Sequence, residues 1–153
     1  MKQFLELYEP IYKDLYRLAY YYLGNSQDAE DVVGETVLKA YEKFATLQKK
    51  EAFKKWIFKI LMNQCMTHLR KKSKNVITNL SEETAFEPQL DDDTITHDLL
   101  SVLSDEERKI VVLFVFGGYK GEEIAKILHM KHSTVRSKYR RALKKMEKQI
   151  ESN

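Results

Sequence analysis

The sequence predicts an all-α chain of two small helical domains joined by a flexible acidic linker. Three observations predict it. Breakers are scarce among the 153 residues: the glycines are Gly24, Gly34, Gly117, Gly118 and Gly121, and the prolines are Pro10 and Pro88. Lys, Glu, Leu and Ala, which favour helix, are abundant. Apolar residues recur at spacings of three and four through most of the chain. Charge falls into blocks. Residues 1–74 carry 14 Lys and Arg against 9 Asp and Glu, and residues 99–153 carry 12 against 7. Residues 75–98 carry 7 acids and no Lys or Arg. Two basic modules on an acidic tether suit a partner that is a polyanion. The expected domains are therefore 1–74 and 99–153, with 75–98 as linker.

The first helix is expected from Phe4 to Leu23, with Phe4, Leu7, Tyr8, Ile11, Leu15, Leu18, Ala19 and Tyr22 on its apolar side. Pro10 should kink or restart it. Its tyrosines read as core and helix-contact residues rather than as a base-stacking platform. Gly24-Asn25 ends this helix, and Ser26 is a suitable N-cap for the next. That second helix spans Gln27 to Phe44, with an apolar stripe of Val33, Val37, Ala40, Tyr41 and Phe44. Asp28, Glu30 and Asp31 crowd its start, where the helix dipole favours anions. No histidine or matching carboxylate pair stands near to make these acids and Glu35 a metal site. They read as a solvated or protein-docking face.

The third helix runs from Glu51 to about Lys74. Phe58, Leu61, Met62, Cys65 and Leu69 fall on a core face. Trp56, Lys59, Ile60, Asn63, Thr67 and Arg70 fall roughly opposite, and Arg70-Lys71-Lys72 extends the basic surface. An aromatic ring, an amide, a hydroxyl and cations on one face are what single-stranded DNA requires. A buried Trp56 beside ordinary surface residues explains the pattern equally well from this helix alone. Cys65 and His68 lack a second ligand pair, so they read as a buried thiol and a surface histidine. With one cysteine no intrachain disulfide can form, which suits a reducing cytoplasm. No apolar run approaches a membrane span, and the N-terminal residues do not form a signal peptide.

The acidic stretch from Asn75 to Asp98 lacks periodicity and reads as linker, with transient helix near its end. Ser104 and Glu107 have capping-box spacing, and Ile110, Val111, Leu113 and Phe114 give the following helix an apolar face. Gly117-Gly118 ends it. A short helix with Ile124, Ala125 and Leu128 comes next, then a turn over His129 to His132. The last helix begins near Ser133 and carries Val135, Tyr139, Ala142, Met146 and Ile150 as a stripe. Ser133, Ser137, Arg140, Arg141 and Lys144 face the other way. A packed back and a basic, hydroxyl-bearing front suit a recognition helix in a DNA major groove. The preceding helix and turn favour this over a merely solvated lysine-rich face.

Three stretches in order resemble a known family. DAEDVVGETVLKAYEKF resembles region 2.2, FKKWIFKILMNQCMTHLRKK resembles regions 2.3 and 2.4, and the run from Leu103 to Met146 resembles region 4 of sigma factors. The chain is thus similar to extracytoplasmic-function sigma factors of bacterial RNA polymerase. The resemblance implies a promoter-specificity subunit without catalytic activity, metal or cofactor. The first domain would bind the polymerase clamp helices and the −10 element, and the second the flap tip and the −35 element. Asp28, Glu30, Asp31 and Glu35 fall on the clamp-binding motif. Trp56 and Asn63 match family positions, Asn63 that of the base-capturing asparagine. Arg136, Ser137, Arg140 and Arg141 fall on the −35 reading helix. The resemblance also implies a membrane-anchored anti-sigma partner for a protein that does not itself enter the membrane.

Five positions depart from the family pattern. Gly34 replaces a usual Gln, and Thr67 a usual Asp or Asn. Lys120 and Lys131 stand where serine usually caps the two helices, so Gly121 and Ser133 are alternative caps. His129 replaces the turn glycine. Two rival readings lose ground to the whole. A stand-alone helix-turn-helix regulator leaves the acidic helix and the Trp56 face without a purpose. A metal-dependent nuclease built on Asp28, Glu30, Asp31 and Glu35 lacks the ligand geometry.

Overall fold

The computed structural model describes residues 1–76 and 94–152, and all regular elements among them are helical. The core of the expected linker therefore lies outside the described residues. The chain divides into two compact units with their boundary between residues 85 and 86.

In the first unit, α1 (Lys2–Tyr8) gives way at Pro10 to a 3₁₀ turn, Glu9–Ile11, and α2 (Tyr12–Leu23) follows. The restart is what a proline without a backbone N–H imposes. Gly24 ends α2 at φ 93°, a left-handed conformation that glycine adopts at little cost, and its N–H bonds to the Tyr20 carbonyl. Helix α3 is Ser26–Lys43. Its N-cap is Asn25, not Ser26: the Asn25 Oδ1 accepts the Asp28 N–H at 2.8 Å. Asn and Ser cap comparably well, so the choice rests on which of the two stays extended after Gly24. A 3₁₀ turn, Lys50–Ala52, leads into α4 (Phe53–Val76).

Phe4 pins α1 to this unit. Its ring meets those of Tyr41, Phe44 and Phe53 edge-on at 5.4–5.7 Å and stacks on Tyr8 at 5.8 Å. Such pairs add to the burial of the ring itself. The buried face of α3 is wider than its predicted stripe and displaced from it. Ala29, Val32, Val33, Thr36 and Ala40 are buried, Val37 and Phe44 are half-buried, and Tyr41 is exposed. The reason is that α3 is held by α2 and α4 together. Thr36 is tolerated there because its hydroxyl donates to the Val32 carbonyl at 2.7 Å. For the same reason Ile57 of α4, off the predicted row, is fully buried beside Phe58, Leu61, Met62 and Cys65, while Leu69 is only half-buried.

The second unit begins earlier than predicted. Helix α5 spans Thr94–Ser101, so the last residues assigned to the linker are helical, and Leu100 is buried against α8. Its apolar residues outweigh the local acidity once a partner helix covers them. Helices α6 (Asp105–Val115), α7 (Gly121–Leu128) and α8 (His132–Glu151) complete the unit. Ile110, Val112, Leu113, Ile124, Val135 and Ala142 are its solvent-free centre, and the Phe114 and Tyr139 rings lie 4.2 Å apart at its margin. The α8 stripe fades toward its end: Met146 is half-buried and Ile150 exposed.

The turn between α7 and α8 is tight. His129 adopts φ 55°, ψ 47°, and the Met130 N–H bonds to the Ala125 carbonyl, closing a Schellman motif without glycine. The N-caps are Lys120 and Lys131, not Gly121 and Ser133, and neither side chain caps its helix. Glu123 compensates at α7 by accepting the Lys120 N–H at 3.0 Å. Gly121 lies against His132: a Cβ there would stand 2.8 Å from the His132 Nε2.

The capping box of α6 is present, and it does more than cap. Ser104 accepts the Glu107 N–H, and Glu107 accepts the Ser104 N–H at 2.8 Å. The same buried Glu107 carboxylate accepts Lys145 Nζ of α8 at 2.8 Å. Burial pushes this carboxyl up, but the bonds from Lys145 and Ser104 outweigh it and leave the group below its ordinary value. Replacing Glu107 by Ala should cost about 1.5–3 kcal/mol, the scale of hydrogen bonds to a charged group. Amide exchange over α6–α8 in the full chain measures this. Because the folded-state pKa is lowered, the contribution is present above the ordinary glutamate range and lost as pH falls through the lowered value, so the gap between the two proteins should close in acid.

Candidate nucleic-acid and polymerase interfaces

The predicted acidic face on α3 divides in two. Glu30, Asp31 and Glu35 are exposed. With Val33, Gly34, Val37 and Leu38 they border a groove of about 590 Å³ whose other wall is Tyr8, Tyr12 and Tyr16. Leu38 is 60 % exposed and Tyr12 47 %, so the groove joins apolar surface to carboxylates. Burial, and to a lesser degree Tyr12, pushes the Tyr8 hydroxyl up to about 12, which keeps it a neutral hydrogen-bonding group. Gly34 has open space around it: no atom lies within 4 Å of where a Cβ would stand. The tyrosine wall escaped the sequence reading, although Tyr12 and Leu38 lie off the core stripes and could have flagged it.

Asp28 does not share that exposed face. Its side chain is only 17 % exposed and turns toward α4. Oδ2 accepts Asn25 Nδ2 at 2.8 Å and Lys72 Nζ at 3.0 Å, and Oδ1 lies 3.1 Å from His68 Nε2. His68, read as a surface histidine, is thus half-buried and engaged. Burial would raise the Asp28 pKa, but Asn25 and Lys72, with the charges of Lys72 and His68, hold it below the ordinary value.

On α4, Lys59, Asn63 and Arg70 are exposed and Trp56 and Thr67 half-buried. Their spacing keeps them on one side over roughly 21 Å of helix, at about 1.5 Å per residue. The Trp56 ring rests near Phe53, with centroids 5.9 Å apart, so it is both partly packed and partly presented. The Thr67 hydroxyl donates to the Asn63 carbonyl at 2.9 Å. That bond uses its only donor within the helix and leaves its methyl and acceptor lone pairs outward.

On α8, Ser133, Arg136, Ser137, Arg140, Arg141 and Lys144 are all exposed. Two other lysines of this helix are ion-paired with α6 instead. Lys138 pairs with Glu106 at 3.2 Å and Lys145 with Glu107 at 2.8 Å, both on α6. The helix therefore ties two of its lysines to α6 and presents Arg136, Arg140, Arg141 and Lys144 on exposed positions. No helix among the described residues is long and apolar enough to cross a membrane, and no cluster of metal-ligating side chains occurs among them.

Residues 7–75 match the family model of sigma-70 region 2, and residues 94–146 match that of sigma-70 region 4. The chain belongs to the sigma-70 family. It is similar to the RNA polymerase sigma factor SigV of Bacillus subtilis (strain 168), 36% identical over 141 residues that cover 90% of this chain and 85% of that protein. It is also similar to the extracytoplasmic-function (ECF) sigma factor SigW of the same organism, 27% identical over 161 residues covering 92% and 85%. Its fold is that of the sigma factor RpoE of Bartonella quintana, solved in complex with the anti-sigma factor NepR, at a TM-score of 0.72 and 24% identity over 99% of this chain and 98% of that one. The protein is a sigma factor of the ECF type. It confers promoter specificity on RNA polymerase in transcription initiation and is not itself a catalyst.

The sorting of cations on α8 yields a test in promoter binding. Arg136→Ala and Arg140→Ala should each cost about 1–3 kcal/mol and relax specificity at one base pair if the side chain reads a base. Lys144→Ala should instead lower affinity for all sequences and reduce the salt slope by about one. Lys138→Ala, which removes a lysine paired with Glu106, should leave that slope unchanged. Binding titrations over a salt series check all four variants.

Proposed function

We propose that this sigma factor docks on core polymerase through α3 and reads promoters through α4 and α8. Residues 1–74 form the polymerase- and −10-binding module, residues from 94 onward form the −35-binding module, and the acidic stretch between them connects the two. Glu30, Asp31 and Glu35 engage the clamp helices, and the second module also takes the flap tip. Trp56, Lys59, Asn63, Thr67 and Arg70 take the opened −10 strand: the ring stacks on a base, Asn63 holds one by its edge, and Lys59 and Arg70 neutralise phosphates. Ser133, Arg136, Ser137, Arg140, Arg141 and Lys144 take the −35 duplex.

The observation that carries this reading is the distribution of free charge. Acids are exposed on α3, where a protein surface is to be met, and cations are exposed on α4 and α8, where phosphates are to be met. An anti-sigma factor is a further partner, supported by the relative RpoE of Bartonella quintana, which was solved in complex with the anti-sigma factor NepR. We extend this to a membrane-anchored anti-sigma factor that holds the protein in the cytoplasm until it is released.

Run-off transcription with core polymerase tests the reading. Asp31→Lys with Glu35→Lys should weaken core binding, since like or mismatched charge at an interface costs several kcal/mol. Competition against the unmodified protein measures it, and unchanged affinity would remove the assignment. Asn63→Ala should slow promoter opening while −35 duplex binding persists; equal loss in both assays would contradict the division of labour. Gly34→Gln should strengthen core binding and stabilise α3 by roughly 0.5 kcal/mol, because the position is open and glycine is a poor helix former.

A further inference from the structure

We propose that Asp28 is a positioning residue: its carboxylate clasps Lys72 and His68 and so holds the last DNA-facing turns of α4 in place against α3. This rests on the reading that α4 takes the −10 strand and α3 takes the polymerase.

Three observations lead to it. The first is where apolar packing runs out. Among the described side chains of α4 the last buried one is Cys65, and Leu69 beyond it is only half-buried. Thr67 and Arg70 thus sit on turns with little hydrophobic hold. The second is that the polar clasp begins where that packing ends. His68 and Lys72 stand four residues apart, on one face of α4, and both reach the one carboxylate of Asp28 at 3.0–3.1 Å. Two anchors one turn apart fix the rotation of α4 about its own axis, which apolar contact alone does not. The Asn25 side chain in turn fixes Asp28 by a bond to its carboxylate at 2.8 Å and one from its backbone N–H at 2.8 Å.

The third observation is that the second unit repeats the device. Counting from the N-cap, Asp28 is the third residue of α3 and Glu107 the third of α6. Each accepts a hydrogen bond from its own N-cap residue, and each captures a lysine of the unit's long final helix, Lys72 or Lys145. In both units the captured helix is the one that carries the proposed DNA-reading face. The clasp also explains why Asp28, unlike Asp31 and Glu35, is turned away from the groove.

The test uses full-length protein with core polymerase and separates two readouts: equilibrium affinity for the polymerase, and the rate of promoter opening at saturating polymerase. Asp28→Asn should keep core affinity within about twofold and slow opening by about fivefold or more, the range expected for coupled neighbours. Lys72→Gln, which leaves the α3 cap untouched, should do the same. The exchange Asp28→Lys with Lys72→Asp should open promoters faster than either single change. A helix cap that merely stabilises the fold would not be rescued in this way. Loss of core affinity by Asp28→Asn with normal opening at saturation would make Asp28 a docking residue and overturn the proposal, as would an exchange no better than the worse single variant. Asp31→Lys runs alongside: if it leaves core affinity unchanged, the docking assignment of α3 fails, whereas the clasp is decided by the Asp28 and Lys72 variants.

Discussion

A carboxylate on the first turn of one helix, holding a lysine from the last helix of the same unit, is the interaction on which the functional surfaces depend. Helix N-termini leave N–H groups unsatisfied and carry partial positive charge, so a carboxylate there is favourable. Burying it carries a desolvation cost unless its remaining lone pairs find donors. Lys72 and Lys145 supply those donors from 44 and 38 residues away. Each thereby places a long helix with a directionality that leucine and valine contacts lack.

This placement sorts the cations of a basic chain. Lys72, Lys138 and Lys145 are paired with Asp28, Glu106 and Glu107 of their own units. Lys59, Arg70, Arg136, Arg140, Arg141 and Lys144 remain exposed. In the function proposed above a polyanion meets the second set, and the first set decides where that set stands. Substitutions in the first set therefore act on geometry, and substitutions in the second act on affinity and its salt dependence. The α3 groove follows other rules. There exposed carboxylates rim an apolar trough, the pattern of a protein-docking surface rather than of a nucleic-acid one.

Much of the fold was legible because its signals are local. The Ser104–Glu107 box, the Pro10 break and the Gly24 stop each depend on residues within a turn of one another. Helical spacing also placed Lys59, Asn63 and Arg70 of α4 and Ser133, Ser137, Arg140, Arg141 and Lys144 of α8 on exposed positions, while Trp56, Ile60 and Thr67 are half-buried. What escaped depends on partners distant in sequence. Asp28 looked like its neighbours Glu30 and Asp31 because nothing within a turn reveals Lys72. The α3 stripe was misplaced because one period describes a helix with one neighbour, and α3 has two. The first residues of α5, Thr94 to Asp98, were read as linker with only transient helix because acidic composition dominated a window in which Leu99 and Leu100 gain their value only against α8. The tyrosine wall of the groove joins α1 and α2 to α3, and no single helix wheel displays it.

Position-directed cleavage tests the central claim, that α4 meets the −10 region and α8 the −35 region of the same promoter. Cys65 is fully buried, so a new surface cysteine would be the only reactive thiol. A DNA-cleaving reagent tethered at Lys59→Cys or at Lys144→Cys, each assembled with core polymerase on a promoter, reports what lies beside each helix. The account predicts cuts around −10 from the first and around −35 from the second. Cuts at the same region from both, or at −35 from the α4 tether, would contradict it.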